Sequence, residues 1–179
     1  PTGKLRWLSQ LVPNDSHDWD STPATPMIAT TVDGAERGLV MTTGKDGMLR
    51  ALDRETHAVL YETPVTTREN ADTPVITTPL RACPGVLGGS QWNGPAYNPD
   101  TNLIITGEID WCTTVKRQTN EQLQDAPNGG PWFGNAMRNP FNLFGRQDPN
   151  FWGGWVYAVD ADTGVWKWRL RSNYPIVGG

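Results

Sequence analysis

A strand–turn–strand phrase recurs along the chain, and it limits the fold more than any other feature. Thr2-Gly3-Lys4-Leu5-Arg6-Trp7 and Thr163-Gly164-Val165-Trp166-Lys167-Trp168 match in kind and spacing. Ala51-Leu52-Asp53-Arg54-Glu55-Thr56-His57-Ala58-Val59-Leu60-Tyr61 is a degenerate copy that aligns with the stretch from Ala158 to Trp168. The full phrase is a strand ending in Asp, a tight turn around Thr-Gly, and a second strand closing on an aromatic. The closing aromatics Trp7, Tyr61 and Trp168 lie about one and two intervals of roughly 50 residues apart. Such an interval, filled with short strands, predicts blades of four antiparallel strands in an all-β propeller. A variant copy at 96–107 fills the gap between the second and last copies. On this count the chain holds about three to three and a half blades. An open arc of that size leaves sheet edges and faces uncovered, so the chain is expected to be a portion of one larger propeller domain.

Composition agrees with many short strands. The 179 residues include 19 Gly and 15 Pro, which favour turns over long helices. Nine Trp suit ring packing between sheets or a wall around a planar ligand, and most are expected to be structural. A net charge of −4 without a basic cluster argues against nucleic acid as the main partner. No apolar run reaches the length of a membrane span.

Further strands are legible at 38–43 and 48–52, joined by Gly44-Lys45-Asp46-Gly47, whose Asp-Gly pair signals a hairpin. Others lie at 103–109 and 155–159. From 118 to 153 the chain is rich in Asn, Pro and Gly and lacks periodicity. It reads as a long excursion from the propeller, because Trp132, Phe133, Phe141, Phe144, Phe151 and Trp152 need a surface to pack on. Cys83 and Cys112 would be bridged outside the cytoplasm and reduced inside it. Asp15, Asp18 and Asp20 form a turn-like run in which each reads locally as a turn carboxylate.

Two segments carry a resemblance to a known family. His17-Asp18-Trp19-Asp20, followed by the Gly44-Lys45-Asp46-Gly47 hairpin, is similar to the segment holding the catalytic Asp in quinoprotein alcohol dehydrogenases. Gly88-Gly89-Ser90-Gln91-Trp92-Asn93-Gly94-Pro95 resembles that family's Asn-Trp segment beside the cofactor, with Gln91 standing where the family has Asn. The resemblance implies an eight-bladed ring that oxidises alcohols with pyrroloquinoline quinone (PQQ) and calcium. It places the catalytic base, also a metal ligand, on Asp20. It places cofactor contacts on Lys45, Gln91, Trp92 and Asn93, and a disulfide between Cys83 and Cys112. Further metal ligands, a Glu and an Asn, would come from blades outside the chain. Lanthanide-using relatives have a second Asp at the position of Thr22, so Thr22 points to calcium, a hard cation suited to oxygen ligands. The resemblance also implies a cytochrome c or quinone as electron acceptor and a periplasmic location.

The chemistry suits those residue types. A carboxylate can take the hydroxyl proton, and a cation or ammonium near the quinone oxygens stabilises developing charge. His17 reads as an orienting side chain, since no second His lies at ligand spacing. His57 takes the place of a turn glycine and reads as surface. The alternative reading is a non-catalytic propeller with the same repeat, acting as a protein-interaction scaffold in the periplasm. The Asp20 and Trp92 segments favour the enzyme.

Overall fold

The computed structural model describes residues 2–21, 23–125 and 152–178. Thr22 and the aromatic residues Trp132, Phe133, Phe141, Phe144 and Phe151 lie outside them.

The first sheet is a meander of β1 (Met27–Val32), β2 (Ala35–Thr43), β3 (Met48–Asp53) and β4 (Val59–Pro64), antiparallel and in sequence order. After it come β5 (Leu80–Ala82), β6 (Ala96–Asn98), β7 (Leu103–Trp111), β8 (Thr113–Val115), the short helix α1 (Asn120–Gln124), β9 (Trp152–Asp160) and β10 (Trp166–Ser172). The second four-stranded sheet has the order β10-β9-β7-β6, while β5 and β8 form a two-stranded ribbon. Helix α1 starts at a capping box between Thr119 and Gln122, a signal present in the sequence.

The all-β propeller architecture expected from the repeat is present, but the blade count differs. The described residues complete two four-stranded blades, not three to three and a half. The phrase at 96–107 is not a blade of its own. It joins β6 to β7 inside the sheet whose other edge carries the phrase at 158–168. The N-terminal copy has no strand among the described residues. The reason is that the phrase encodes a tight turn, and any antiparallel strand pair can use one. The expected excursion is also shorter at its end, because Trp152 and Gly153 already pair in β9 with Trp111 and Asp110.

The turn itself explains the motif. The Asp53 carboxylate accepts the backbone N–H groups of Glu55 (2.8 Å) and Thr56 (2.9 Å). Asp160 accepts those of Asp162 and Thr163, both at 3.0 Å. Hydrogen bonds from Thr56 N–H, Arg37 and Glu55 N–H hold the Asp53 carboxyl down at about 2. The residue four after each Asp adopts a left-handed conformation, with φ 63° at His57 and 72° at Gly164. That is why Gly is favoured there.

The same position receives the closing aromatic of the preceding copy. Trp7 stacks on His57 with centroids 4.3 Å apart, so this exposed His is also a packing surface. Tyr61 lies against Gly164, where an added Cβ would stand 2.5 Å from its ring. Between the blades, Ile28, Leu39, Met41, Leu49, Ala51 and Val65 share one core with Ile104, Tyr157, Val159 and Ala161. Tyr61 Oη donates to Ala161 O (2.8 Å), Thr63 Oγ1 to Gly164 O (2.6 Å) and Thr66 Oγ1 to Ile109 O (2.6 Å).

A buried carboxyl also lies beside this seam. Glu108 is fully buried; Thr106 donates to its Oε1 at 2.5 Å, and its Oε2 has no hydrogen-bond partner. Burial pushes its carboxyl up to about 8 against the pull of Thr106, and the Asp46 charge adds to the rise. A carboxyl raised this way stays protonated in the fold while the unfolded chain ionises near its ordinary 4.5. Stability should be greatest below that value and fall, with the slope of a single proton, as pH rises to about 8. Glu108→Gln removes the titration and should flatten the stability–pH curve of the complete protein, read by urea unfolding between pH 5 and 8. Equal slopes for both proteins would refute it. A second test compares Gly164→Ala with Gly34→Ala. Both sites have left-handed φ, but only Gly164 faces a ring; nothing lies within 4 Å of a Cβ at Gly34. Gly34→Ala should cost about 1 kcal/mol and Gly164→Ala about 2–3 kcal/mol in chemical denaturation.

Candidate active site

Four chain segments emerge at one end of the two blades. Met27, at the start of β1, pairs with Val40 near the end of β2, so the segment before β1 lies beside the 44–47 hairpin. Lys45 N donates to Asp20 O at 3.1 Å. The segment before β6 joins them, with Gly89 N donating to Lys45 O (2.8 Å) and a Cβ at Gly94 meeting Ala24 O at 2.2 Å. The β7–β9 connection opens at the same end, since Trp111 and Trp152 are paired there.

The Asp20 segment is built around a buried Trp. Asp15 caps the turn, its Oδ1 accepting from His17 N (2.8 Å) and Oδ2 from Trp19 N (2.7 Å). Trp19 is buried and stacked on the His17 ring at 4.3 Å, with the Arg68 guanidinium 5.9 Å from its centroid. His17 Nε2 donates to Thr73 O at 2.8 Å, a contact that orients the imidazole. Beyond Trp19 lies a cavity of about 590 Å³ lined by Val12, His17, Trp19, Arg50 and Arg68. Asp20 and Lys45 do not line it.

Anchoring Trp19 sets the two flanking carboxylates on the Lys45 ammonium. Lys45 Nζ donates to Asp18 Oδ2 (2.9 Å) and Asp20 Oδ2 (3.2 Å). The Lys45 side chain is 8% exposed, while those of Asp18 and Asp20 are 78% and 58% exposed. Ion pairs with such exposed partners add little stability. Their effect is to hold a buried cation next to open carboxylate oxygens. Asp18 escaped the sequence analysis as a site residue, because only the fold shows that the Trp19 between it and Asp20 is buried.

Hairpin residue Asp46 is buried and bound by both forks of Arg50, with Arg68 donating to its carbonyl. On the far side, Thr43 Oγ1 donates to Ser90 Oγ (3.0 Å), which donates to Asn93 O (2.9 Å). Gln91 Nε2 donates to Leu87 O, and Trp92 presents an indole that is 74% exposed. Asn93 is buried, and its carboxamide binds Gln91 N (3.3 Å), Gly107 O and Ile176 O (3.5 Å). Its side chain therefore shapes the loop that carries Gln91 and Trp92. Cys83 and Cys112, 29 residues apart, form a disulfide at the root of this loop.

A family model described as the beta-propeller domain of glucose, ethanol and alcohol dehydrogenases, named for PQQ, matches residues 1–72. The chain is 24% identical over 195 residues to a lanthanide-dependent methanol dehydrogenase of Methylacidiphilum fumariolicum, covering 99% of the chain and 31% of that protein. Residues 1–72 resemble that family, and most of the chain is similar to methanol and alcohol dehydrogenases. Another of these dehydrogenases, the quinohemoprotein alcohol dehydrogenase of Comamonas testosteroni, is 29% identical over 196 residues, covering 99% of the chain and 27% of that protein. The fold matches a europium-containing methanol dehydrogenase with a TM-score of 0.76 at 21% identity, covering 98% of this chain and 32% of that one. The chain thus spans less than a third of the length of these dehydrogenases.

Asn93→Ala removes all three backbone contacts of a buried amide. It should destabilise the complete protein by about 2–3 kcal/mol, measured by denaturant unfolding. A cost below about 0.5 kcal/mol would show that the loop is held by other contacts.

Proposed function

We propose that the chain is part of an alcohol dehydrogenase that uses PQQ and calcium and oxidises alcohols to aldehydes or ketones. The observation that carries this reading is the Lys45 ammonium set between two exposed carboxylates, at the blade end where the Trp92 loop also emerges. The donor chemistry fits the two groups. Exposed Asp oxygens are hard ligands suited to calcium, a buried ammonium suits quinone oxygens, and an open indole suits a flat ring. Among the described residues no group of three His, Cys, Asp or Glu converges on one point. The chain would contribute Asp20 to a metal site whose remaining ligands come from other parts of the complete protein.

When bound, PQQ would supply the two-electron acceptor and calcium the polarising charge. Asp20 would accept the hydroxyl proton of the alcohol as its α-hydrogen leaves with the electron pair. Lys45 would stabilise the negative charge that develops on the acceptor oxygens, and its burial strengthens that interaction relative to water. Gln91 and Trp92 would line the cofactor edge. The electrons would pass to a cytochrome c or a quinone. A periplasmic location agrees with the Cys83–Cys112 disulfide, since such bonds persist in oxidising compartments.

The test is dye-coupled alcohol oxidation by the complete protein, reconstituted with PQQ and calcium, beside its Asp20→Asn variant. Activity should require both additions and fall by about 10²-fold or more in the variant. No bound quinone and no turnover across a broad alcohol panel would favour a non-catalytic propeller.

A further inference from the structure

Lys45 belongs to the first blade, yet the surface that confines its stem comes from the second. Gly88 has φ 74°, and a Cβ placed on it would lie 2.3 Å from Lys45 Cβ, 2.5 Å from Lys45 Cα and 2.6 Å from Lys45 Cγ. These are the stiff atoms at the root of the side chain, not its mobile tip. We infer that Gly88 is a positioning residue for Lys45, allowing the 85–90 loop to lie directly on the lysine stem and so aim its ammonium at Asp18 and Asp20. The functional side of this inference rests on the reading of Lys45 given above.

The loop is held on both sides of the contact. Gly89 N donates to Lys45 O (2.8 Å) and Ser90 N to Gly44 O (3.3 Å), which registers the loop on the hairpin. Ile109 N donates to Gly89 O (2.6 Å), which ties the same residue to β7. At the root, Gly85 N donates to Trp111 O (2.7 Å), Val86 N to Thr113 Oγ1 (3.1 Å), and Cys83 is bonded to Cys112. The hairpin cannot retreat easily, because Asp46 is bound by Arg50, and a Cβ at Gly47 would meet Thr66 Cγ2 at 2.5 Å. A side chain at position 88 must therefore push Lys45 itself. The Nζ bonds of 2.9 and 3.2 Å tolerate little movement, since about 1 Å of displacement takes them beyond hydrogen-bond range. Misplacement on that scale is enough to cost catalysis heavily.

The experiment uses the complete protein as wild type, Gly88→Ala, Lys45→Ala and the double variant, with two readouts. In the first, the protein without added cofactor is labelled with acetic anhydride and Lys45 acetylation is followed by mass spectrometry. Gly88→Ala should raise the Lys45 labelling rate about fivefold or more, leaving the other lysines unchanged, as a buried amine becomes accessible. In the second, reconstituted enzyme is assayed with alcohol. Gly88→Ala should lower kcat about tenfold or more with KM changed less than about twofold, and should add less than about twofold in the Lys45→Ala background. Unchanged labelling in a folded Gly88→Ala protein, or the same fold-loss of kcat in both backgrounds, would overturn the inference. If Gly88→Ala does not fold, the paired Cys83→Ser, Cys112→Ser variant frees the loop root without adding an atom over Lys45. Faster Lys45 labelling is then expected, and unchanged labelling overturns the inference. If the wild type oxidises no alcohol, the reading of the site fails, while labelling still decides whether Gly88 holds Lys45.

Discussion

The seam between the two sheets is the constraint on which the rest of the structure depends. A single four-stranded sheet has too little apolar surface to bury its own faces. Here Leu39, Met41 and Leu49 from one sheet and Ile104, Tyr157 and Val159 from the other close a common core. Each fully buried side chain of this kind contributes about 1.5–3 kcal/mol. The closing aromatic of one repeat phrase settles on the left-handed turn residue of the next, and this sets the lateral register of neighbouring blades. Hydrogen bonds such as Thr63 Oγ1 to Gly164 O then satisfy polar groups that the packing has cut off from water.

The candidate site is a product of that seam. Its carboxylates enter on the segment before β1, its ammonium on the β2–β3 hairpin, and its indole on the segment before β6. The blades bring these connections to one end, and backbone hydrogen bonds from Gly89 and Ser90 lock the second blade onto the first blade's hairpin. Lys45 is buried because of this overlap, and burial strengthens its charge interactions relative to water. The buried Asp46–Arg50 pair below it and the protonated Glu108 show how polar the upper seam is. A polar seam beneath this end keeps the loops in one arrangement, since each buried polar group has few alternative partners.

Much of this was legible in the residues, but unevenly. The Asp and the left-handed turn position were readable because they act within a few residues of chain, and the closing aromatic because it recurs at a fixed place in the phrase. The 44–47 hairpin and the strands beside it were readable for the first of these reasons. The number of blades was not, since the phrase at 96–107 looks like a separate unit until β7 is seen to pair with β9. Asp20 and Lys45 could be connected through family likeness, and the structure brings them together. Asp18 looked like one more turn carboxylate, because nothing local reveals that Trp19 is buried and turns its neighbours toward one lysine.

By itself the sequence determined the turns, the strand phrases and the residue types of the candidate site. The turns and strand phrases follow from short-range sterics and near-neighbour hydrogen bonds, and the site residues from the likeness of their segments to a known family. Only the tertiary structure decided which strands share a sheet, that Lys45 is enclosed by Gly88, and that Glu108 keeps its proton. Each of these depends on which surfaces meet and exclude water. Desolvation and close packing are properties of the assembled faces, and no stretch of the chain carries them alone.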